Sequence, residues 1–252
     1  MSTSSTKKTL SILDLFQGDK AELTTEEIAA ALQVPISTCY RYLKVMSDHG
    51  YLVSSSGSGY SLGPKIILLG KYLQRNDPII SCCSGFSESI VKSFVGTATI
   101  NRVYKQSFIS IYANSHKNET RTGFGDGGFI SILSGANAIV IQAFLSRHLQ
   151  NKVYTENRDE LVKAGRGNDF QEFKNALQAV RHARICKVQG VVRPDSTGFA
   201  APLLGNRKQI LGTFAFSMLT ENITPEIEEA VKLRVHEIGI RASDMLHKVG
   251  AS

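Results

Sequence analysis

Few of the residues that build readily recognised sites are present. The four cysteines, Cys39, Cys82, Cys83 and Cys186, follow neither the paired spacing of a zinc ribbon nor that of a secreted disulfide scaffold. Neighbouring Cys82 and Cys83 bridge only with strain. Reduced thiols and a cytoplasmic location are therefore expected. No apolar run reaches the length of a membrane span, and the run in "MSTSSTKKTLSILDLF" is short and broken by Asp14, which excludes a signal peptide. His116, His148, His182, His236 and His247 show no metal-ligand spacing. No nucleophile, base and orienting acid follow one another in a recognisable order. Neither an enzyme nor a cofactor is expected. "GFGDGG", residues 123–128, matches the dinucleotide fingerprint letter for letter, yet it follows the polar "HKNETRT" and not a buried strand, so it reads as a loop. Internal repeats and low-complexity tracts are absent.

A chain of 252 residues is long enough for two domains, each with its own core. Lys plus Arg number 29 against 22 Asp plus Glu, a net charge of +7, which favours polyanionic or acidic partners. Residues 1–75 hold eight basic and six acidic side chains. An affinity for nucleic acid must then rest on where charge is placed in the first domain, not on its total.

Along the chain, Leu10, Leu13, Leu15 and Phe16 give a short amphipathic helix ending near Gly18. In "LTTEEIAAALQV", Thr24 followed three residues later by Glu27 is a capping box, and Ile28, Ala31 and Leu32 supply the apolar face of a second helix. Pro35 is read as its stop, with Ser37 or Thr38 as cap of a third helix that ends at Gly50. "YLVSSSGSGYSLG" then places two strand-like segments around a Ser/Gly tip, a hairpin. Three helices and a hairpin make a winged helix–turn–helix over 1–63. A linker helix over 64–77 follows, and a second domain, 78–252, starts its first helix at Asp77-Pro78. There "TATINRVYKQSFISIYANS" alternates as two antiparallel strands. "FISILSGANAIVIQAFL" turns into a buried helix, and "FQEFKNALQAV" carries a helical stripe of Phe170, Phe173, Leu177 and Val180. "GFAAPLLGNRKQILGTFAFSML" is a hairpin. Thr224 and Pro225 open the closing helix. The fold class is α+β.

The third helix has two faces. Cys39, Tyr42, Leu43 and Met46 turn inward, while Ser37, Thr38, Tyr40, Arg41 and Lys44 turn outward. A recognition helix needs that division, because one stripe packs on its domain while the other enters the major groove. Ser37 and Thr38 suit a phosphate at the helix start. Arg41 suits a bidentate contact to guanine or a phosphate, Tyr40 a phosphate or a thymine methyl, and Lys44 the backbone charge. The wing tip "SSSGSG" has no Lys or Arg and adds little electrostatic affinity.

The segments "TLSILDLF", "TTEEIAAALQVPISTCYRYLKVMSDHGYL", "YSLGPKIILLG", "GFAAPLLGNRKQILGTFAFSM" and "ITPE" resemble, in matching order over nearly the whole chain, the IclR-type transcriptional regulators. That resemblance implies a winged helix–turn–helix that binds double-stranded operator DNA. It implies a linker helix used in dimerisation, a homodimer or dimer of dimers on palindromic operators, and a GAF-like carboxy-terminal domain that binds a small effector. By matched position the effector site comprises Ile132, Leu133, Ser134, Gly135, Gly198, Phe199 and Ala200. Arg193 is a possible counter-charge, and a small carboxylate is the expected effector. The chain departs from the family pattern at "FISILSGANA", which lacks the usual Pro-Leu-His start. It departs again at Val191, Val192 and Arg193, where an acidic stretch is usual, and at Gly198, where a cysteine is common. Two other classes stay in view: a redox sensor acting through Cys82 and Cys83, and an enzyme carrying a winged domain.

Overall fold

The computed structural model describes residues 5–17, 20–55, 59–105, 107–117, 129–133 and 135–251. The chain divides into two compact units, Met1–Asn76 and Asp77–Ser252.

In the first unit, α1 (Ser5–Asp14) precedes β1 (Leu23–Thr24), α2 (Thr25–Leu32) and α3 (Ile36–Asp48). The capping box is formed. Thr24 Oγ1 accepts the Glu27 amide at 3.2 Å and the Glu27 carboxylate accepts the Thr24 amide at 2.9 Å. Pro35, by contrast, does not end α2. Gln33 does, by turning left-handed at φ 53° while its amide reaches the carbonyls of Ala29 and Ala30. Pro35 itself occupies the N-cap of α3 and supplies no side-chain acceptor, so neither Ser37 nor Thr38 is a cap. Both lie in the first turn. Ile12, Ile28, Cys39, Leu43 and Leu52 are fully or almost fully buried in one cluster that locks the three helices together.

Gly50, at φ 75°, turns the chain out of α3 into β2 (Leu52–Ser54) and β3 (Gly59–Leu62). The two-residue β1 adds to the far side of β3, so the sheet order is β1-β3-β2. The short β1 exists through pairing and has no sequence signal of its own. Then α4 (Pro64–Asn76) follows, and none of its side chains is buried.

The second unit opens with α5 (Pro78–Ser93), β4 (Thr97–Tyr104), β5 (Ser107–Ser115) and β6 (Phe129–Ser131). Helices α6 (Gly135–Phe144), α7 (Arg147–Glu156), α8 (Arg158–Lys163) and α9 (Phe170–Ala183) come next. β7 (Cys186–Gln189), β8 (Ser196–Leu204), β9 (Ile210–Leu219) and α10 (Pro225–Lys248) complete it. The six strands form one antiparallel sheet in the order β6-β5-β4-β9-β8-β7. This is the GAF-like α+β domain that was expected; α7, α8 and β7 are additional to the sequence reading.

Because side chains alternate across a pleated strand, each strand feeds two layers. Ala98, Ile100, Phe199, Ala201, Leu203, Phe214, Phe216 and Met218 pack with α5 and α10. Helix α10 comes so close at Gly239 that an added Cβ there would stand 2.6 Å from that of Ala201. On the opposite face, Ala200 and Ala215 pack with Ala136 and Val140 of α6. Phe108, Ile132, Ile141, Phe173 and Leu177 join α6 to α9.

Candidate functional site

Helix α3 separates its faces as the periodicity predicts. Cys39 and Leu43 are fully buried and Met46 nearly so. The Cys39 thiol lies 3.7 Å from the Thr25 carbonyl, which ties α3 to α2. Ser37, Tyr40, Arg41 and Lys44 are exposed, Thr38 and Tyr42 half-buried. Tyr40 exposes 52 % of its surface and Ile36 47 %. A tyrosine and an isoleucine so placed gain little from water, and an apolar contact such as a thymine methyl suits them. Ile36 escaped the sequence reading because Pro35 was taken for a stop and not for the first residue of the turn. With no side-chain cap at Pro35, the Ile36 and Ser37 amides remain available to an outside acceptor such as phosphate, while that of Thr38 bonds the Pro35 carbonyl at 2.9 Å. The wing residues 56–58 lie outside the described residues.

A second candidate is a partly open pocket in the second unit, with about 420 Å³ of space between its walls when the adjoining solvent is included. It lies on the α6 side of the sheet. Thr99, Ser196, Gly198, Ala215 and Ser217 line it from β4, β8 and β9, Gly135, Ala136 and Asn137 from the start of α6, and Val188, Val191 and Val192 from β7 and the following loop. Phe199 and Phe216 border it as well. Gly198 makes the room: a Cβ built there would meet nothing within 4 Å.

Of the residues expected at an effector site, Gly135, Gly198 and Phe199 border this cavity. Ser134, and the "GFGDGG" loop with it, lie outside the described residues. Ile132 and Leu133 instead belong to the core between α6 and α9, because β6 sits at the far edge of the sheet. Ala200 is buried under α6. Arg193 is not among the lining residues; its guanidinium grips Asp195 through two bonds of 3.1 and 2.9 Å. The expected counter-charge is thus engaged elsewhere. Strand alternation would have put Thr99, Ala215 and Ser217 on one face, but which face α6 covers has no local sequence signal.

Beside the cavity runs a buried polar cluster. Asn137 Oδ1 accepts the Thr213 hydroxyl at 2.7 Å and the Asn101 amide at 3.3 Å. Asn101 Nδ2 also reaches Thr99 and Thr213, at 3.2 and 3.3 Å, while its Oδ1 is buried without a partner. The Asn137 amide is therefore oriented: its oxygen is saturated from within, and its two N–H donors remain for the cavity.

The thiols do not form a reactive site. Cys82 and Cys83 are buried and unbridged, and burial pushes both thiols above their ordinary range. For Cys83, the neighbouring Cys82 and Asp77 push further in the same direction. Burial likewise raises Cys186 to about 11, against a smaller opposing pull from Arg166. At neutral pH these are protonated thiols, poor nucleophiles for oxidants. Among the described residues, no group of His, Cys, Asp or Glu has the arrangement of a metal site, and no helix is long and apolar enough to cross a membrane.

A helix–turn–helix with a hairpin wing in the first unit and an α+β domain with a pocket in the second make a two-domain architecture. Residues 5–56 match the IclR helix-turn-helix domain. Among solved structures, the chain is similar to a putative IclR transcriptional regulator from a Silicibacter species, with TM-score 0.78 and 16% identity, covering 97% of both chains. An IclR regulator from Alicyclobacillus acidocaldarius gives TM-score 0.76 and 20% identity over 98% of this chain and 100% of that one. An IclR homologue from Microbacterium hydrocarbonoxydans, complexed with 4-hydroxybenzoate, gives TM-score 0.78 and 15% identity over 96% and 99%. No curated protein matches the sequence. The amino-terminal unit is an IclR helix–turn–helix domain, and the whole chain has the fold of IclR-type transcriptional regulators.

Proposed function

We propose that the chain is a sequence-specific transcription regulator that reads an operator with α3 and changes its operator affinity when a small organic molecule occupies the cavity of the second unit. The observation that supports this most is the outward row of α3, with Ser37, Tyr40, Arg41 and Lys44 exposed beside a buried stripe. Arg41 is the base-reading donor, Tyr40 an apolar or phosphate contact, Ser37 and Thr38 phosphate partners, and Lys44 a backbone charge. The protein acts as a homodimer or dimer of dimers, so two α3 helices meet two half-sites. Effector and operator then influence each other's affinity by the same factor.

Selecting operator fragments with the full-length protein, and then comparing it with Arg41→Ala, tests the DNA reading. Loss of a bidentate base contact weakens specific binding by about 1–3 kcal/mol and relaxes the preference at one position. Equal affinity and equal preference in the variant would remove Arg41 from the reading surface.

Two effector chemistries are in view. An organic acid was expected from the sequence, and the Microbacterium homologue is complexed with 4-hydroxybenzoate. For an ionised group, the start of α6 supplies only about 1 kcal/mol of dipole stabilisation, against a cost of several kcal/mol for removing a carboxylate from water. The other chemistry is an uncharged one.

A further inference from the structure

We infer that the cavity takes a small uncharged molecule with an apolar body and one hydrogen-bond-accepting oxygen: a ketone, aldehyde, lactone, ester or amide, not a carboxylate. This deepens the reading of the cavity as an effector site and rests on it. Every side chain that lines the cavity among the described residues is uncharged. Buried apolar walls accept an apolar body and favour it over water. An anion in the same place leaves its hydration behind and meets no cation among the described lining residues. Arg193, close by in sequence to the rim residues Val191 and Val192, is held by Asp195 through a bidentate pair. Enlisting it means giving up that part-exposed pair, a small cost at the surface.

The polar end of the cavity specifies what the ligand must carry. Asn137 is 5 % exposed, and its Oδ1 is already occupied by Thr213 and Asn101, so it offers N–H donors. Thr99 Oγ1 accepts from Asn101 and keeps its own proton to donate. Such a donor set is matched by a carbonyl oxygen, and it gives a neutral carbonyl its bond without the desolvation of an ion.

Matched probes separate the two classes. Full-length protein is titrated calorimetrically with 4-hydroxybenzoate against 4-hydroxybenzaldehyde and 4-hydroxybenzamide, with benzoate against acetophenone, and with pentanoate against δ-valerolactone. The expected result is that the neutral partner binds about tenfold or more tightly wherever either member binds. Gly198→Leu, which fills the open space beside that residue, should remove the binding. Val191→Arg places a cation at a rim position that is 53 % exposed, and should shift the ratio toward the acid. Tighter binding of the acids to the unmodified protein overturns the inference, as does neutral binding that survives Gly198→Leu. Absence of binding by every probe overturns it too. The function proposed above fails separately: a neutral molecule that binds here without altering operator affinity leaves the ligand class standing and removes the cavity's regulatory role.

Discussion

Asp77 does two jobs with one carboxylate. Its Oδ1 accepts the amides of Ile79 and Ile80, at 2.8 and 3.4 Å, and so caps α5. Its Oδ2 accepts Arg102 from β4 through bonds of 3.1 and 2.7 Å. The Asp77 side chain is 3% exposed and that of Arg102 35%, so the acid depends on the guanidinium far more than the reverse. Removing one partner of such a pair is worse than never having had it, because a buried charge is left uncompensated. Arg102→Ala should therefore destabilise the second unit by about 2–3 kcal/mol, a figure reduced for the partial exposure of Arg102. Calorimetric unfolding of the full chain checks it. The transition of the second unit should move down while that of the first stays in place, and Arg102→Lys should recover only part, since it lacks the bidentate fork.

Helix α2 shows why some elements were legible in the sequence and others were not. Thr24 and Glu27 announce the start of α2, as Thr224 and Pro225 announce that of α10, because each signal lies within four residues and needs no tertiary partner. Thr24→Ala should destabilise the first unit by about 1 kcal/mol, measurable by the midpoint of its urea unfolding, while Thr24→Ser should be close to neutral. The β8–β9 hairpin was legible for the same local reason. Helices α7 and α8 were not: Gln150, Val153, Tyr154 and Leu161 are their only buried side chains, too few for a periodic stripe. Strand β7 buries Cys186 alone, and β1 is fixed by Leu23 and Thr24 pairing with Tyr60 and Gly59. The two candidate sites divide along this line. The outward row of α3 follows from helical period alone, whereas the cavity depends on which sheet face α6 covers. Gly135, Gly198 and Phe199 came from matched position in the family resemblance, which did not extend to Asn137.

Every large apolar side chain of α4 from Ile67 onward lies in water in the single chain: Ile67 at 62 %, Leu68 at 64 %, Leu69 at 46 %, Tyr72 at 70 % and Leu73 at 56 %. Gly70 and Lys71 are the only breaks between Ile67 and Leu73. A contiguous apolar surface of this kind marks an interaction site, since water gains by its removal. We propose that its partner is the same helix of a second copy, as isologous contacts pair a patch with itself. The dimer proposed for operator reading needs that contact, because the two half-sites must be presented at fixed spacing. Leu68→Glu combined with Tyr72→Glu should shift the sedimentation of the full chain toward smaller species and weaken binding to a palindromic operator far more than binding to an isolated half-site. The half-site serves as the internal control, since α3 is untouched by either substitution. If the doubly substituted chain sediments as before and holds the palindrome with undiminished affinity, α4 is not the surface that joins the copies, and the apolar row must have another use.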